Sequence, residues 1–490
     1  MTRDLNYIIV ILFFCGFLAF GWIGFLASDD MMYTSAAESW LTSFPYLGDN
    51  HWALRQPLVI STAFSYLIFG VNEYSLALTT SSYFLAIVLL TYYYFKRIKN
   101  SNLALLASVS LITIPLFAIQ STFSGCDLVE LFFILCSILL FHHASQENKV
   151  SLLYISGLMA GIAWLTRETS ASLPIFYTGL FLYGYGNRKN YIWLAVGFIS
   201  VAVTEITIYY LVENDFLYRV WIDLDQGKST GKTLKVPGTG NIEINKIFNP
   251  ILALLINQEF MLLFTFFFPA SIWLFTTKDS NQGYHSLLIL FFWLSVTWFV
   301  IIGYGLGVRS LPRYYSVTSY AALVIVIAWM YSLFHKNKIV SVILFTLFFS
   351  ANFIGLYVEN KQPIFGERVL KQWLVNNLDK EIYTDPITRS SAGFLLRTAG
   401  LEHRVHSGRP NGQTAYYLFN PNRVFQENRV SGYVEENKPL THWQSTEVIK
   451  PERKWSGILI EWIGLEQLIP KAIVKKLNYP ADAITIYRIN

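Results

Sequence analysis

Long apolar runs recur along this chain of 490 residues and constrain its fold more than any other feature. A helix needs about 20 apolar residues to cross a bilayer, where helices and closed barrels alone satisfy their backbone hydrogen bonds. About eleven runs meet or approach that length, at 7–26, 74–95, 103–119, 128–142, 152–165, 171–185, 191–212, 251–275, 286–302, 314–334 and 339–357. The sequence therefore predicts a helical protein that spans the membrane many times.

The composition agrees with that prediction and excludes several classes of protein. Hydrophobic residues make up 53% of the chain and charged residues 14%, too apolar for an ordinary soluble protein. The net charge of +5 is small for this length, so no nucleic-acid partner is indicated. Cys15, Cys126 and Cys136 follow neither a disulfide framework nor a metal-binding spacing.

The basic residues predict the orientation, because cytoplasmic loops are enriched in Lys and Arg. With the N-terminus in the cytoplasm, the inner loops receive Arg3, Lys96, Arg97, Lys99, Lys149, Arg188, Lys189, Lys278, Lys336 and Lys338. The loops at 28–73 and 213–250 and everything after residue 357 then lie outside. Arg167, Arg309 and Arg313 fall in short outer connections, where basic residues are normally depleted. A bound phosphate would explain them, although Arg167 next to Glu168 also reads as a neutral pair.

Two domains are predicted. Residues 1–357 form the transmembrane domain, and residues 358–490, which are mixed in polarity, form a small soluble α/β domain outside the membrane. In that domain the patterns indicate a helix at 367–378 and strands at 381–384, 458–462 and 483–489. In the first outer loop, residues 31–42 and 57–69 read as two helices lying at the membrane surface.

Carboxylates gather at the predicted outer face. Asp29 and Asp30 follow the first apolar run, and Asp127 opens another, with Glu130 nearly one helical turn further on. Glu205 and Glu259 fall inside apolar runs, where a carboxylate either serves function or hydrogen-bonds between helices. Charge is expensive in hydrocarbon, so carboxylates at the edges of spans indicate a candidate reaction site.

Six segments spread between residues 7 and 334 form a recognisable series: Asp29-Asp30-x-x-Tyr33, Arg55-Gln56-Pro57-Leu58, Phe69-Gly70-Val71-x-Glu73, Asp127, 157–167 and Arg313-Tyr314. Together they resemble the GT-C glycosyltransferases, nearest to the branch of protein O-mannosyltransferases and the lipid A aminoarabinose transferase. Many relatives have Asp-Glu in place of Asp29-Asp30, Lys-Pro-Pro in place of Arg55-Gln56-Pro57, and Lys in place of Arg167.

The resemblance implies a GT-C membrane domain and an enzyme that moves a sugar from a polyprenyl-phosphate donor to a lipid, glycan or protein acceptor. It places the site on the extracytoplasmic face, in bacteria the periplasmic side of the inner membrane. Displacing a lipid phosphate needs a base and positive charge. The expected catalytic residues are Asp29 as base with Asp30 and Asp127. The expected phosphate ligands are Arg55, Arg167, Arg309 and Arg313, and further substrate-binding candidates are Tyr33, Glu38, His51, Glu130, Glu168 and Glu259.

Two questions stay open at this stage. Asp29 and Asp30 also suit a divalent ion such as Mg²⁺ or Mn²⁺, but two residues do not complete a coordination sphere. A transporter or flippase of a lipid-linked or anionic substrate would also have many spans with buried charge. It predicts paired half-repeats and charge near the midplane, neither of which the sequence shows. A lipid-linked glycan polymerase or ligase is the nearer rival among enzymes.

Overall fold

The chain divides into two compact units in a computed structural model that describes residues 5–224, 243–277, 281–305, 311–359, 362, 364–410, 415–425, 432–468 and 471–489. The first unit comprises Met1–Trp22, Met32–Ile68 and Ser75–Glu359. The second unit comprises Ile23–Met31, Phe69–Tyr74 and Asn360–Asn490. Two short segments from the first 74 residues thus belong to the same unit as the C-terminal region.

Helices account for the chain up to residue 359. In chain order they are α1 (Leu5–Phe20), α2 (Asp29–Thr42), α3 (Gln56–Phe69), α4 (Glu73–Ile98), α5 (Ser101–Thr113), α6 (Pro115–Gln120), α7 (Cys126–Glu147), α8 (Val150–Thr166), α9 (Ser172–Tyr183), α10 (Tyr191–Glu213), α11 (218–224), α12 (Glu243–Ile256), α13 (Leu263–Thr276), α14 (Gln282–Val300), α15 (Ser316–Lys336) and α16 (Lys338–Glu359). Residues 31–42 and 57–69, each predicted to be helical, lie in α2 and α3.

Six helical stretches in the described part of the chain are long and apolar enough to cross a membrane. They are Glu73–Ile98, Cys126–Glu147, Arg188–Glu213, Gln282–Gly305, Pro312–Lys336 and Lys338–Glu359. Five further helices, α1, α3, α5, α8 and α13, are apolar but only 10–17 residues long. The predicted fold class, a helical membrane domain followed by a small α/β domain, is confirmed.

Two of the predicted continuous runs are broken. The run at 103–119 is divided into α5 and α6 at Pro115, which lacks the N–H that a helix interior requires. The run at 251–275 is divided into α12 and α13 by residues 257–262, where the Asn257 side chain accepts the Glu259 N–H at 2.8 Å and Met261 adopts φ 47°. Asn favours such local turns over helix continuation. Glu259 therefore lies in a connection and not inside a spanning helix.

Glycines allow α8 to pack closely against α10. A Cβ atom on Gly157 would collide with the backbone carbonyl oxygen of Leu194, and one on Gly197 would collide with that of Tyr154. Small residues of this kind let helix backbones approach in a membrane, where van der Waals packing replaces the hydrophobic effect as the driving force. The close approach fixes α8, which carries part of the site described below at its C-terminal end.

The second unit contains a five-stranded sheet flanked by helices. Its elements are α17 (Phe365–Asn376), β1 (Ile382–Thr384), α18 (Pro386–Arg397), β2 (Val405–Ser407), β3 (Ala415–Phe419), α19 (Pro421–Val424), α20 (Tyr433–Asn437), β4 (Gln444–Ile449), α21 (Trp455–Ile463), α22 (Lys471–Asn478) and β5 (Ile484–Ile489). The strand order is β2-β1-β3-β5-β4. The strand β1 is parallel to β2 and β3, whereas β5 is antiparallel to β3 and β4.

The predictions for this unit were partly wrong. The helix at 367–378 and the strands at 381–384 and 483–489 correspond to α17, β1 and β5, but the predicted strand at 458–462 lies inside helix α21. A short apolar run does not separate the two states by periodicity. Here Gly464, with φ 74°, caps the helix in the left-handed conformation. The strand β4 was missed because its residues are mostly exposed and lack a buried alternating face.

We predict that Gly157→Ala lowers the stability of the membrane unit by about 1–3 kcal/mol, the usual cost of overpacking. The added methyl group meets a backbone carbonyl, which cannot move aside as a flexible side chain can. The measurement is thermal unfolding of the purified protein in detergent. Gly179→Ala in α9 is the control, because a Cβ atom there has no heavy atom within 4 Å. Equal melting temperatures for both variants would contradict the close packing of α8 against α10.

Candidate active site

The first part of the candidate site is built where α7 begins and α8 ends. These two helices are consecutive and pack against each other, so the start of α7 and the end of α8 lie on the same side of the bundle. Asp127 and Glu130 occupy the first turns of α7, and Arg167 is the residue at which α8 stops. The sequence spacing alone leaves these residues some 40 positions apart, and the helix pair brings them together.

Arg167 is buried against two carboxylates and an aromatic ring. Its guanidinium forms an ion pair with Asp127 and lies 3.8 Å from the Glu130 carboxylate. Its Cζ atom lies 4.3 Å from the centre of the Tyr314 ring, within the range of a cation–π interaction. Arg167, Asp127 and Glu130 are each 5% exposed or less as whole residues. Arg167 therefore pairs with Asp127 and Glu130, and the alternative of a neutral pair with Glu168 is wrong.

Glu130 is fixed by hydroxyl groups from the segment that follows α8. The side chains of Thr169 and Ser170 donate hydrogen bonds to Glu130 Oε1 at 2.5 and 2.7 Å. These residues belong to a short 3₁₀ helix, Glu168–Ala171, that directly continues from Arg167. A buried carboxylate is tolerated when it is paired and hydrogen-bonded, and Glu130 meets both conditions.

Arg55, unlike Arg167, is contacted by side chains other than carboxylates. Its guanidinium donates to the Tyr33 hydroxyl, to Cys126 Sγ at 3.2 Å and to His51 Nε2 at 2.6 Å, and the residue is 6% exposed. Within the described residues, no carboxylate oxygen lies within 4.0 Å of it. Tyr33, on α2, and Cys126, at the start of α7, thus hold a buried arginine whose charge is not neutralised by a contacting acid.

A third arginine, Arg219 on α11, was not singled out in the sequence. It forms ion pairs with Glu205 at 2.6 Å, Glu168 at 3.1 Å and Asp223 at 3.6 Å. It also donates to the backbone carbonyl of Trp164 and lies 5.3 Å from the Trp164 ring centre. The available signal was the spacing of Arg219 and Asp223, four residues apart on one helical face. Glu205, inside the apolar run of α10, serves as an ion-pair partner.

His51 joins the Arg55 and Arg219 groups. An arginine can only donate, so the contact from Arg55 makes His51 Nε2 an acceptor, and Nδ1–H then donates to Asp223 at 3.0 Å. His51, Glu168 and Asp223 have ligand atoms close enough to surround a metal ion. However, this hydrogen-bond assignment places a proton on Nδ1, and Arg219 already forms ion pairs with both carboxylates. These residues fit an ion-pair network better than a metal centre.

Glu168 is kept ionised within this network. Burial alone would raise the pKa of its carboxyl group, but the positive charges of Arg55 and Arg219 outweigh that effect and lower the pKa below its ordinary value. The carboxylate accepts a hydrogen bond from Arg219 at 3.1 Å. Glu168 therefore contributes a fixed negative charge beside two arginines.

An apolar cavity of about 660 Å³ lies beside this network in the first unit. It is bordered by α2, α3, α8 and α10, with Trp40, Leu158 and Val201 among its lining residues. Glu205, the ion-pair partner of Arg219, is the one carboxylate among the described residues that line it. The volume is that of a typical ligand pocket. An elongated apolar group would match the apolar walls, and the buried Arg219 lies next to the lining as the ion-pair partner of Glu205.

Asp29 and Asp30 belong to the second unit and differ in environment. Asp30 is 1% exposed, and its two carboxylate oxygens accept the backbone N–H groups of Leu26 at 2.5 Å and Ser28 at 2.7 Å. Burial raises the pKa of Asp30 to about 6, a shift that these hydrogen bonds limit. Asp29 is only half-buried. Asp30 thus shapes the turn before α2 and fits poorly as a metal ligand, while Asp29 is the more accessible acid.

The remaining predicted residues are dispersed. Glu38 is half-buried on α2, and Glu259 lies in the connection between α12 and α13. Arg313 is the second residue of the short 3₁₀ helix Pro312–Tyr315, and its Cζ atom lies 5.7 Å from the centre of the Tyr314 ring. Tyr314 is thus near the guanidinium groups of both Arg167 and Arg313. Arg309 lies outside the described residues.

We predict that Arg167→Met destabilises the protein by about 3–5 kcal/mol, because Asp127 and Glu130 would remain buried without their positive partner. Arg97→Met is the matched control, since Arg97 forms an exposed ion pair with Glu147 and such pairs contribute about 0–1 kcal/mol. Thermal unfolding in detergent measures both. Replacing Asp127 by Asn in the Arg167→Met background should restore part of the loss, and a double variant no more stable than Arg167→Met would contradict the pairing.

Comparison with known proteins supports the predicted resemblance. Residues 56–210 match the model of the family described as dolichyl-phosphate-mannose-protein mannosyltransferase. No curated protein sequence matches the chain. Among solved structures, ArnT from Cupriavidus metallidurans in the apo state superposes with a TM-score of 0.58 at 12% identity, covering 98% of this chain and 97% of ArnT.

Two further structures share the fold. ArnT from Cupriavidus metallidurans bound to undecaprenyl phosphate gives a TM-score of 0.57 at 12% identity, over 87% of this chain and 95% of that one. The Archaeoglobus fulgidus oligosaccharyltransferase in complex with zinc and sulfate gives 0.55 at 12% identity, over 91% of this chain and 72% of that one. The chain is therefore an integral membrane protein with the GT-C fold, and its resemblance to the branch of the protein mannosyltransferases and ArnT is confirmed.

Proposed function

We propose that this protein is a membrane glycosyltransferase that takes a sugar from a polyprenyl-phosphate donor and transfers it to a lipid, glycan or protein acceptor. The observation that carries the proposal is the apolar cavity of about 660 Å³ in the first unit, whose lining residue Glu205 pairs with the buried Arg219. A polyprenyl phosphate has the matching chemistry, a long apolar chain that ends in an anion. The solved ArnT structure with undecaprenyl phosphate and the matching mannosyltransferase family model support the same substrate class.

Arg55 is the best candidate to bind the phosphate. It is buried, its guanidinium is oriented by Tyr33, Cys126 and His51, and it contacts no carboxylate among the described residues. A guanidinium binds two phosphate oxygens at once, and it retains its charge in an apolar setting. Arg219 is the second candidate, although it would share its charge with Glu205 and Glu168. In this proposal the positive charge stabilises the phosphate as it leaves the sugar.

Asp127 takes a different role in this proposal from the one expected from the sequence. Asp127 is 5% exposed and pairs with Arg167, so a proton transfer to its carboxylate would remove the closer of the two negative charges beside the arginine. We therefore assign Asp127 and Glu130 to holding Arg167 and the neighbouring Tyr314 in place. Arg313 and Arg309 remain candidate phosphate ligands from the resemblance.

Asp29 is the proposed base. In the reaction, an acceptor hydroxyl loses its proton to Asp29, its oxygen forms a bond to the anomeric carbon, and the bond from that carbon to the phosphate oxygen breaks with its electrons going to the phosphate. A single displacement of this kind inverts the anomeric configuration. We derive no step through a metal ion, because both oxygens of Asp30 already accept backbone hydrogen bonds. The proposed orientation places this chemistry on the extracytoplasmic face.

We predict that Asp29→Asn abolishes transfer and causes one lipid-linked sugar to accumulate, because the acceptor hydroxyl then has no base. Mass spectrometry of polyprenyl-phosphate sugars and of envelope glycans, in cells with equal membrane amounts of each protein, measures both pools. Asp379→Asn is the control, since Asp379 is an exposed acid of the same unit and should leave both pools unchanged. Unaltered pools in Asp29→Asn cells would refute the assignment of the base.

The configuration of the first product gives an independent test. A single displacement predicts a product whose anomeric configuration is the opposite of the donor's, and NMR of the first-formed product reads it directly. A product that retains the donor configuration would require a covalent intermediate on the enzyme or a different mechanism, and it would exclude the proposed single displacement.

A further inference from the structure

The segment Phe69-Gly70-Val71-Asn72-Glu73 belongs to the resemblance, yet nothing in the proposed reaction uses it. Glu73 is the first residue of α4 and belongs to the second unit, together with Ile23–Met31 and the C-terminal region. Its carboxylate is 15% exposed. A partly buried acid at this position, close to the turn that leads to Asp29, needs a physical explanation.

Glu73 binds both an arginine of the C-terminal region and the turn before α2, which comprises residues 23–28. Its Oε1 atom accepts the Phe25 N–H at 2.8 Å and also pairs with Arg368 Nη2, and its Oε2 atom accepts from Arg368 Nη1 at 3.1 Å. Arg368 lies on α17 and donates a further hydrogen bond to the Ile23 carbonyl at 3.1 Å. One arginine and one glutamate thus bind two backbone groups of the same turn.

The backbone of the turn is adapted to this contact. Gly24 has φ +75°, a conformation that favours glycine, and a Cβ atom there would collide with the Glu73 carboxylate. The next residue, Phe25, is fully buried, and its ring centre lies 4.9 Å from that of Phe394 on α18. The first half of the turn is therefore fixed by an ion pair, by a glycine and by an aromatic contact, all within the second unit.

Asp30 fixes the second half of the same turn. Its oxygens accept the Leu26 and Ser28 N–H groups, and Ala27 between them adopts φ 56°, an uncommon value for a residue other than glycine. Asp29 is the first residue of α2 and directly follows this turn. Its position is set by Glu73 and Arg368 on one side and by Asp30 on the other.

The bidentate geometry distinguishes Arg368–Glu73 from ordinary surface ion pairs, which contribute little because solvent screens them. Arg368 is 41% exposed, but it engages both oxygens of Glu73 and a backbone carbonyl, and Glu73 in turn binds a backbone N–H. Fork-shaped pairs of this kind fix orientation as well as distance. The pair therefore joins α17 of the C-terminal region to the turn.

We propose that Arg368 and Glu73 are positioning residues that allow the C-terminal region to hold Asp29 for catalysis; this rests on the proposed role of Asp29. Catalytic groups must be held closely, because a displacement of about 1 Å can lower the rate about 100-fold. The C-terminal region supplies Arg368, which anchors the turn that directly precedes the proposed base.

The first test follows the turn itself and needs no substrate. A spin label is attached to Ser28→Cys, an exposed position of the turn, in full-length protein with Cys15 and Cys136 replaced by Ser. Arg368→Ala should make the label more mobile in the electron paramagnetic resonance spectrum, and Arg368→Lys should do so less. Arg453→Ala is the matched control, because Arg453 is a partly exposed arginine of the same unit paired with Glu461. An unchanged spectrum in Arg368→Ala would overturn the proposal.

The second test measures transfer, using the lipid-linked sugar extracted from Asp29→Asn cells as the probe. Arg368→Ala and Glu73→Gln should lower kcat about 10- to 100-fold with little change in the KM for the probe. Arg368→Lys should recover part of kcat, and Arg453→Ala should match the unaltered protein. Full kcat in both Arg368→Ala and Glu73→Gln, with Asp29→Asn inactive, would overturn the positioning role alone. An active Asp29→Asn protein would instead refute the proposed base, while the spin-label result would still report on the anchor.

Discussion

The cost of burying charge in an apolar membrane domain is the constraint on which the described arrangement depends. Two buried arginines of the first unit, Arg167 and Arg219, are paired with carboxylates. Arg167 is neutralised by Asp127 and Glu130, and Arg219 is neutralised by Glu205 and Glu168. An unpaired buried charge costs several kcal/mol, so these pairs require α7, α8, α10 and the segments beyond them to meet at one place. The ion pairs of the site therefore also hold the helices together.

Arg55 is the exception that gives this arrangement its functional interest. Tyr33, Cys126 and His51 bind its guanidinium without supplying a contacting negative charge. Glu168 lies near enough for its charge to interact with Arg55, but it does not contact the guanidinium, and a bound anion would supply that contact. Sites that bind or react commonly keep such an unfavourable feature, which other parts of the structure compensate. The contrast between Arg55 and Arg167 separates a candidate ligand-binding arginine from one that holds the helices together.

Much of the fold was predictable because hydrophobic length and charge act locally along the chain. The apolar runs predicted the membrane domain, and the positions of α2, α3 and α17 were read from spacing. The interruptions within the predicted helices were harder to predict. The run at 251–275 is interrupted where Asn257 forms local hydrogen bonds, and the hydropathy of the run gives no sign of this interruption. The strand predicted at 458–462 is a helix, because short apolar runs serve either state and the left-handed Gly464 decides between them.

For the candidate site, the types of residue could be predicted from local sequence, whereas their contacts with distant residues could not. The sequence by itself determined that this is a polytopic membrane protein with acids and arginines at the edges of its spans, because solvation cost depends on residue type and run length. Only the tertiary structure decided the pairings. Arg167 with Asp127, Arg219 with Glu205, and Arg368 with Glu73 join residues separated by 40, 14 and 295 positions. Such contacts depend on how helices and turns pack, and no local pattern encodes which partner each charge meets.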